Sequence, residues 1–116
     1  MTRGTGGQAV VDALVTTGIR FAFTVPGESF LPVLDALHDA PIRTVAARHE
    51  GGAVFMAEGI GQLTGRPAAC LATRAVGAAN LAIGLHTAYA DSTPLVALVG
   101  QVPTGSRGRE AFQEVD

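Results

Sequence analysis

Apolar residues recur at helical spacing in four segments of the chain, and four shorter apolar segments lie between them. In the first segment, Val11, Leu14 and Val15 mark one helix face, and Gly18 follows as a helix stop. The predicted elements are helix 8–17, strand 19–25, helix 28–38, strand 41–47, helix 51–63, strand 68–73, helix 75–90 and strand 94–100. The pattern therefore predicts alternating helices and strands along the whole chain.

The predicted strands are apolar on both faces. The fourth, Leu95-Val96-Ala97-Leu98-Val99, shows no alternation of apolar and polar residues. Strands of this kind, joined by helices of about ten or more residues, are typical of a parallel sheet that is covered on both sides. We therefore predict the α/β class, with a doubly wound, mainly parallel sheet and helices on both faces.

Small residues crowd the third and fourth predicted helices. They are Gly51, Gly52, Ala53, Gly59 and Gly61 in the third helix, and Ala75, Gly77, Ala78, Ala79, Ala82 and Gly84 in the fourth. Each glycine inside a helix costs about 0.5–1 kcal/mol relative to alanine. We expect another group to approach these backbones closely: a neighbouring strand or helix, a partner subunit or a bound cofactor.

Composition and charge narrow the class of protein. The 116 residues are 47% hydrophobic, which suits one domain at most. The net charge is −2, and the eight arginines are scattered from Arg3 to Arg109, so we predict binding to neither nucleic acid nor membrane. Without a leader segment or a membrane span, a cytoplasmic protein is expected. We predict that Cys70 packs as a small hydrophobe and that the three unevenly spaced histidines form no metal site.

The ends of the predicted strands are the places to look for a site, because ligands of parallel sheets bind outside the carboxyl ends of the strands. These ends are 25–29, 48–50, 73–77 and 100–103. Arg48-His49-Glu50 places a cation, an imidazole and a carboxylate at one strand-to-helix corner. Glu50 is either a functional carboxylate or an acid that stabilises a helix N-terminus by about 0.3–1 kcal/mol. The chain has no dinucleotide-binding, P-loop or nucleophile-elbow motif.

Several motifs together resemble one family. They are Arg48-His49-Glu50-Gly51-Gly52-Ala53, Met56-Ala57-Glu58-Gly59, Thr64-Gly65-Arg66-Pro67, Val25-Pro26-Gly27, Asn80-Leu81 with Gly84, Ala88-Tyr89-Ala90-Asp91-Ser92, Pro94-Leu95, Gly100-Gln101-Val102-Pro103-Thr104 and Ala111-Phe112-Gln113-Glu114-Val115-Asp116. The chain resembles the N-terminal pyrimidine-binding (Pyr) domain of thiamine-diphosphate-dependent enzymes of the acetolactate synthase and pyruvate oxidase group. The resemblance covers nearly the whole chain from Gln8 on.

The resemblance implies a site for the aminopyrimidine ring of thiamine diphosphate. Glu50 would be the catalytic glutamate that hydrogen-bonds N1′ of the ring and so promotes loss of the proton from C2 of the cofactor. The same resemblance places further residues around the ring: Pro26, Gly27, Thr73, Gly77 and Asn80. Phe112 and Gln113 would point toward the substrate.

One turn departs from the family pattern. The family usually has a Thr-Ser-Gly-Pro-Gly type of turn after the third strand, and this chain has Thr73-Arg74-Ala75-Val76-Gly77. Because this chain lacks the glycine and proline of that turn, the family pattern does not predict the backbone path here. Arg74 adds a cation on the substrate side, which would either bind a substrate carboxylate or form a surface or interface salt bridge.

The resemblance also implies that residues 1–116 are the N-terminal portion of a Pyr domain, with the middle and PP domains absent. In the family, a PP domain of the same or another subunit holds the diphosphate and Mg²⁺, so we expect the chain alone to be inactive. A homodimer or higher homo-oligomer would act on a 2-keto acid by decarboxylation or carboligation. FAD is possible in the full-length family. We further expect an unpaired sheet edge beside the fourth strand or elsewhere in the sheet, and marginal stability or association.

Three other interpretations remain open at this point. The chain could be a truncated, non-catalytic association module that buries its Gly- and Ala-rich helix faces against a partner. It could also be the Pyr-half subunit of a two-chain thiamine-diphosphate enzyme. The third is an unrelated flavodoxin-like binding domain, which the surroundings of Glu50 disfavour and which flavin binding by the chain would support.

Overall fold

A computed structural model describes residues 4–115. The helices are α1 (Gly6–Thr16), α2 (Leu31–His38), α3 (Glu50–Thr64) and α4 (Arg74–Asp91), and the strands are β1 (Phe21–Thr24), β2 (Arg43–Ala46), β3 (Ala68–Thr73) and β4 (Leu95–Gly100). Two 3-10 turns, Glu28–Phe30 and Thr104–Ser106, complete the regular structure of these residues. All eight predicted elements are present in the predicted order.

The four strands form one parallel sheet in the order β2-β1-β3-β4. In its register, Phe23 of β1 lies opposite Val45 of β2 and Cys70 of β3. Helices α1 and α2 pack on one face of the sheet, and α3 and α4 pack on the other. The predicted α/β class, with a parallel sheet between two helical layers, is confirmed.

The two faces of the sheet are packed with side chains of different size. Larger residues fill the α1/α2 face: Val11, Leu14, Ile19, Phe30, Leu37, Ile42 and Leu71. Small residues dominate the α3/α4 face, which is built from Phe23, Ala53, Val54, Ala57, Ala68, Cys70, Ala72 and Leu81. Burial raises the pKa of the Cys70 thiol to about 11, which fits its predicted role as a small apolar residue.

The glycines of α3 and α4 have two kinds of surroundings. A Cβ on Gly84 would overlap the side chain of Val54, so glycine lets α4 approach α3 closely. At Gly52 and Gly59, by contrast, a Cβ would meet no atom within 4 Å apart from the chain neighbours and the helix's own nearby backbone. A neighbouring helix therefore explains Gly84, while Gly52 and Gly59 lie on open surface.

The expectation of strands buried on both faces is wrong for the edges of the sheet. Three of the four residues of β2 are exposed, and none of the six residues of β4 is fully buried. Among residues 4–115, each of these strands pairs on one side only, so its outer side lacks a neighbour that would cover it. The sequence pattern did not distinguish these edge strands from the central strands β1 and β3.

The second predicted helix is also interrupted. Residues 28–30 form a 3-10 turn, because Phe30 leaves the helical conformation (φ −134°, ψ 29°) and turns its side chain into the α1/α2 core. Helix α2 then begins at Leu31, with Pro32 in its first turn as expected. In the described part of the chain, none of the helices combines the length and the apolar character that crossing a bilayer requires.

Candidate functional site

The carboxyl ends of β1 and β3 form the switch point of the sheet. From β1 the chain passes through α2 to β2, whereas from β3 it passes through α4 to β4 on the opposite side. The two connections leave in different directions and on different faces, which opens a crevice between them. The predicted site residues lie at this carboxyl edge or on the helices that begin there.

Glu50 is the first residue of α3 and is only 7% exposed. The side-chain amide of Asn80, from α4, donates a hydrogen bond to its Oε2 atom over 2.9 Å. Within residues 4–115, no hydrogen bond occupies the second oxygen, Oε1. We call this pair, Glu50 and Asn80, the Glu50 cluster. It presents a buried carboxylate with one oxygen fixed and the other available for a ligand.

The start of α3 holds this carboxylate in place. His49 is the N-cap, in extended conformation, and its Nδ1 accepts a hydrogen bond from the backbone N–H of Gly51 over 2.9 Å. The carboxylate of Glu50 also lies at the positive end of the helix dipole, which favours a negative charge. Glu50 therefore has the structural role considered for it, an acid at a helix N-terminus. It also has an oxygen that is available to a ligand, so the two roles are compatible.

On α4, Gly77, Asn80 and Gly84 recur at the spacing of one helix face. A Cβ on Gly77 would lie 2.9 Å from that of Ala72, so glycine allows the start of α4 to lie against the end of β3. This contact within the chain accounts for Gly77, whose predicted place in a cofactor pocket stays a prediction. Asn80 is on the same face and reaches Glu50.

The loops after β1 and β3 meet at the switch point. A Cβ on Gly27 would lie 2.5 Å from the Cβ of Thr73, so the β1 loop needs glycine to pass this side chain. The hydroxyls of Ser29 and Thr73 are hydrogen-bonded over 2.7 Å. Pro26, on the same loop, is exposed. The structure thus joins the predicted residues Gly27 and Thr73 in direct contact.

A second group of residues surrounds the start of α4. Arg74 Nη2 lies 3.3 Å from Glu28 Oε1, and Nη1 donates to the carbonyl oxygen of Phe112 over 3.0 Å. The backbone N–H of Ala75 donates to the carbonyl oxygen of Gln113 over 3.1 Å. We call these five residues, 28, 74, 75, 112 and 113, the Arg74 cluster. It brings the three residues predicted for the substrate side together and engages the guanidinium within the chain.

Three residues that form these contacts lie at the predicted strand ends but were not among the predicted site residues: Glu28, Ser29 and His49. Glu28 pairs with Arg74, and Ser29 bonds to Thr73. Opposite charges near the ends of two strands were a signal, but β1 and β3 are not consecutive in the chain, so their proximity could not be inferred. His49 could have been included because it immediately precedes Glu50, and its role is to cap the first turn of α3.

Comparison with known proteins identifies the family. Residues 4–116 match the family described as "Thiamine pyrophosphate enzyme, N-terminal TPP binding domain", where thiamine pyrophosphate is another name for thiamine diphosphate. The chain belongs to this family. The resemblance drawn from the motifs is confirmed, and the parallel α/β fold is consistent with a TPP-binding N-terminal domain.

Relatives of this TPP-binding N-terminal domain include large subunits of acetolactate synthases. The chain is 43% identical to the "Probable acetolactate synthase large subunit" of Methanocaldococcus jannaschii over 111 residues, which are 96% of this chain and 19% of the relative. It is 45% identical to the "Acetolactate synthase isozyme 1 large subunit" of Escherichia coli K12 over 115 residues, 98% of this chain and 20% of the relative. The "Acetolactate synthase" of Bacillus subtilis is 41% identical over 116 residues, 100% of this chain and 20% of the relative.

The chain therefore spans about one fifth of the length of the curated relatives it matches. The family to which it belongs implies thiamine diphosphate as the cofactor. No group of three or more His, Cys, Asp or Glu side chains that could hold a metal ion occurs among residues 4–115.

Proposed function

We propose that this chain provides the aminopyrimidine half of a thiamine-diphosphate site in an acetolactate-synthase-like enzyme that decarboxylates or ligates 2-keto acids. The observation that carries the proposal is the Glu50 carboxylate, which is buried, fixed through Oε2 by Asn80 and free at Oε1 within the described chain. A ring nitrogen that must gain or share a proton needs a carboxyl group that is held in place and has an oxygen available to it. The donor set of the Glu50 cluster therefore fits an aminopyrimidine.

In this proposal each residue has a limited task. When bound, thiamine diphosphate supplies the nucleophilic carbon that attacks the carbonyl of a 2-keto acid. Glu50 presents Oε1 to N1′ of the aminopyrimidine and shares a proton with that nitrogen. Asn80 keeps the carboxylate from rotating through its 2.9 Å hydrogen bond, and the His49 cap keeps the first turn of α3 in place.

The remaining proposed site residues lie around the switch point. Pro26 and Gly27 would flank the ring with their backbone, and Thr73 would close the same side through its contact with Gly27. Gly77 would shape the wall of the pocket by letting α4 lie against β3. Phe112 and Gln113, in the Arg74 cluster, would face the substrate.

The proposal assigns the other half of the cofactor to a PP domain of the same or another subunit, which would hold the diphosphate and Mg²⁺. Residues 1–116 would then be the N-terminal portion of a Pyr domain and inactive alone. The assembly would be a cytoplasmic homodimer or larger homo-oligomer, in which FAD is an optional further cofactor. A two-chain enzyme with this chain as its Pyr half is a variant of the same proposal.

A second candidate function, association without catalysis, has its own supporting observation. Large apolar side chains on the outward sides of α3 and α4 are exposed, among them Leu63, Ile83 and Tyr89. Large apolar side chains exposed on two neighbouring helices could be covered by a contact with another protein. Such a contact also suits an enzyme whose site is shared between subunits, so the role of Glu50 distinguishes the two candidates.

A chimeric enzyme tests the proposed function. The matching N-terminal segment of the E. coli isozyme 1 large subunit is replaced by this chain, and product formation from pyruvate is measured with thiamine diphosphate and Mg²⁺. We expect the chimera to be active and Glu50→Gln to lower its kcat by about 10²–10⁴-fold. Gly52→Ala, on open surface, is the control. A Glu50→Gln chimera as active as the parent chimera would refute the catalytic role.

A further inference from the structure

Arg74 is a cation with little contact with water. Its side chain is 10% exposed, whereas that of its ion-pair partner Glu28 is 71% exposed. Its Nε is buried and has no hydrogen-bond partner among residues 4–115. Burying a charged group is unfavourable unless its contacts offset the loss of water. Besides the ion pair with Glu28, the guanidinium donates one hydrogen bond, from Nη1 to the carbonyl oxygen of Phe112.

The backbone at Arg74 is also unfavourable for arginine. Its φ of 54° lies in the left-handed region, which costs a residue other than glycine roughly 1–2 kcal/mol. Glycine would adopt this conformation without that cost. Arg74 therefore holds its contacts with Glu28 and Phe112 from a backbone conformation that glycine would adopt at lower cost.

The segment that the guanidinium reaches is otherwise fastened at few points. The backbone N–H of Ala75 donates to Gln113, and the Glu114 carboxylate accepts from the backbone N–H groups of Gly108 and Ala111. The Phe112 side chain is 73% exposed, so apolar packing does not anchor the segment. Arg74 is therefore the main side-chain link between residues 111–114 and the start of α4.

We propose that Arg74 is a positioning residue, which fixes segment 111–114 against the start of α4 and thereby sets the place of Phe112 and Gln113. It acts through the carbonyl oxygen of Phe112, with Glu28 orienting the guanidinium, and does not touch the substrate. That segment 111–114 faces the substrate rests on the proposed function, whereas the claim that Arg74 holds this segment rests on the structure alone. In this proposal Arg74 does not bind a substrate carboxylate.

Amide hydrogen exchange of the 116-residue chain tests the fastening without cofactor or substrate. The probe is the N–H of Ala75, which Gln113 protects. Arg74→Gly removes the guanidinium and also relieves the positive φ, so a rise in exchange at Ala75 cannot come from added strain. We expect Ala75 exchange to rise about tenfold, with the amides of β1 and β3 unchanged or slower.

Ser92→Gly is the matched control. Ser92 has the same φ of 54°, at the C-cap of α4, and is not part of the Arg74 cluster. This variant should gain stability in the same way and leave Ala75 exchange unchanged. Arg74→Lys keeps the charge but loses the planar guanidinium, so its exchange rate at Ala75 should lie between those of the parent and Arg74→Gly. If Arg74→Gly does not fold, the Arg74→Lys variant provides the test.

Two outcomes would overturn the proposal. Unchanged exchange at Ala75 in Arg74→Gly, or in Arg74→Lys if that variant replaces it, would show that Arg74 does not hold the segment. A raised KM for pyruvate in the Arg74→Gly chimera, with Ala75 exchange unchanged in the chain, would instead support direct binding of the substrate carboxylate. Neither outcome concerns Glu50, so failure here is distinguishable from failure of the proposed function.

Discussion

The Glu50 cluster and the Arg74 cluster lie at the same edge of the sheet but are built differently. Glu50 and Asn80 stand on α3 and α4, which pack against each other and against the sheet over their length. Arg74 instead holds an irregular segment through a hydrogen bond to one carbonyl oxygen and an ion pair with an exposed partner. The geometry of the first cluster depends on the core, and that of the second on a few polar contacts.

This difference predicts how each cluster responds to change. Disturbing the Glu50 cluster should also disturb the free energy of unfolding, because its residues are part of the packed helices. Disturbing the contacts of the Arg74 cluster should release a loop without destabilising the core.

Gly84→Val should disrupt the support of the Glu50 cluster most strongly. The new side chain would overlap Val54 at the contact between α3 and α4. Overpacking of this kind costs about 3 kcal/mol, and we expect that loss in urea unfolding. Gly52→Ala is the control, since it adds a Cβ to open surface on a helix and should stabilise the chain by about 0.5–1 kcal/mol. Equal stability of the two variants would contradict the packing proposed for Gly84.

Asn80→Asp should be nearly as disruptive, because it places a second carboxylate at hydrogen-bond distance from Glu50. The two buried negative charges repel each other, and the hydrogen bond to Oε2 is lost. We expect a loss of about 2–3 kcal/mol at pH 7 in urea unfolding. Asn80→Ala removes the donor without adding charge, so it should cost less than Asn80→Asp.

His49→Ala should have a smaller effect at the start of α3. It removes the acceptor for the Gly51 N–H and should cost about 1 kcal/mol in the free energy of unfolding. His49→Asn keeps a capping acceptor and should recover most of that loss. If both variants were equally unstable, the bond seen at Nδ1 would contribute nothing to the helix.

Acid should release the loop beside the Arg74 cluster. The pKa of Glu114 is lowered mainly by the hydrogen bond from the Gly108 N–H. Burial acts in the opposite direction, and hydrogen bonds from the backbone of Ala111 and Arg109 and the charge of Arg107 lower the pKa further. A lowered folded pKa means that the carboxylate supports the loop above its ordinary pKa and releases it as the pH falls through the lowered value.

The Gly108 and Ala111 amide chemical shifts should follow this titration, with a midpoint below the ordinary glutamate value. Glu114→Gln should abolish the pH dependence while leaving the unfolding transition of the core in place. A midpoint at or above the ordinary value would mean that the backbone bonds to Glu114 do not form in solution.

Apolar periodicity was enough to predict the regular elements of the fold. Helical spacing and short apolar segments located all eight elements, because the pattern of burial repeats with the geometry of each element. We predicted an unpaired edge beside the fourth strand or elsewhere in the sheet, but the exposure of β2 also depends on the order of the strands. That order arises from the crossover of α3 past β1, which no local pattern encodes.

The candidate site could also be predicted only in part, because some of its contacts depend on the order of the strands. Glu50 could be located from sequence because it lies near the carboxyl end of a predicted strand and in a motif of the family that the chain resembles. Its hydrogen bond to Asn80 depends on α3 and α4 sharing a face, and the pairing of Glu28 with Arg74 depends on β1 lying beside β3. Contacts between elements that are distant in the chain require the fold itself.

The central claim, that Glu50 forms an aminopyrimidine half-site, is tested most directly by an NMR titration of the 116-residue chain. The probes are thiamine diphosphate and the 4-aminopyrimidine alone, with inorganic diphosphate as the control that lacks the ring. Saturable shifts at the amides of Glu50 and Gly51 and at the Asn80 side chain, produced by both ring-containing probes and abolished by Glu50→Gln, are the predicted result. Shifts that persist in Glu50→Gln, or that diphosphate alone reproduces, would contradict the claim.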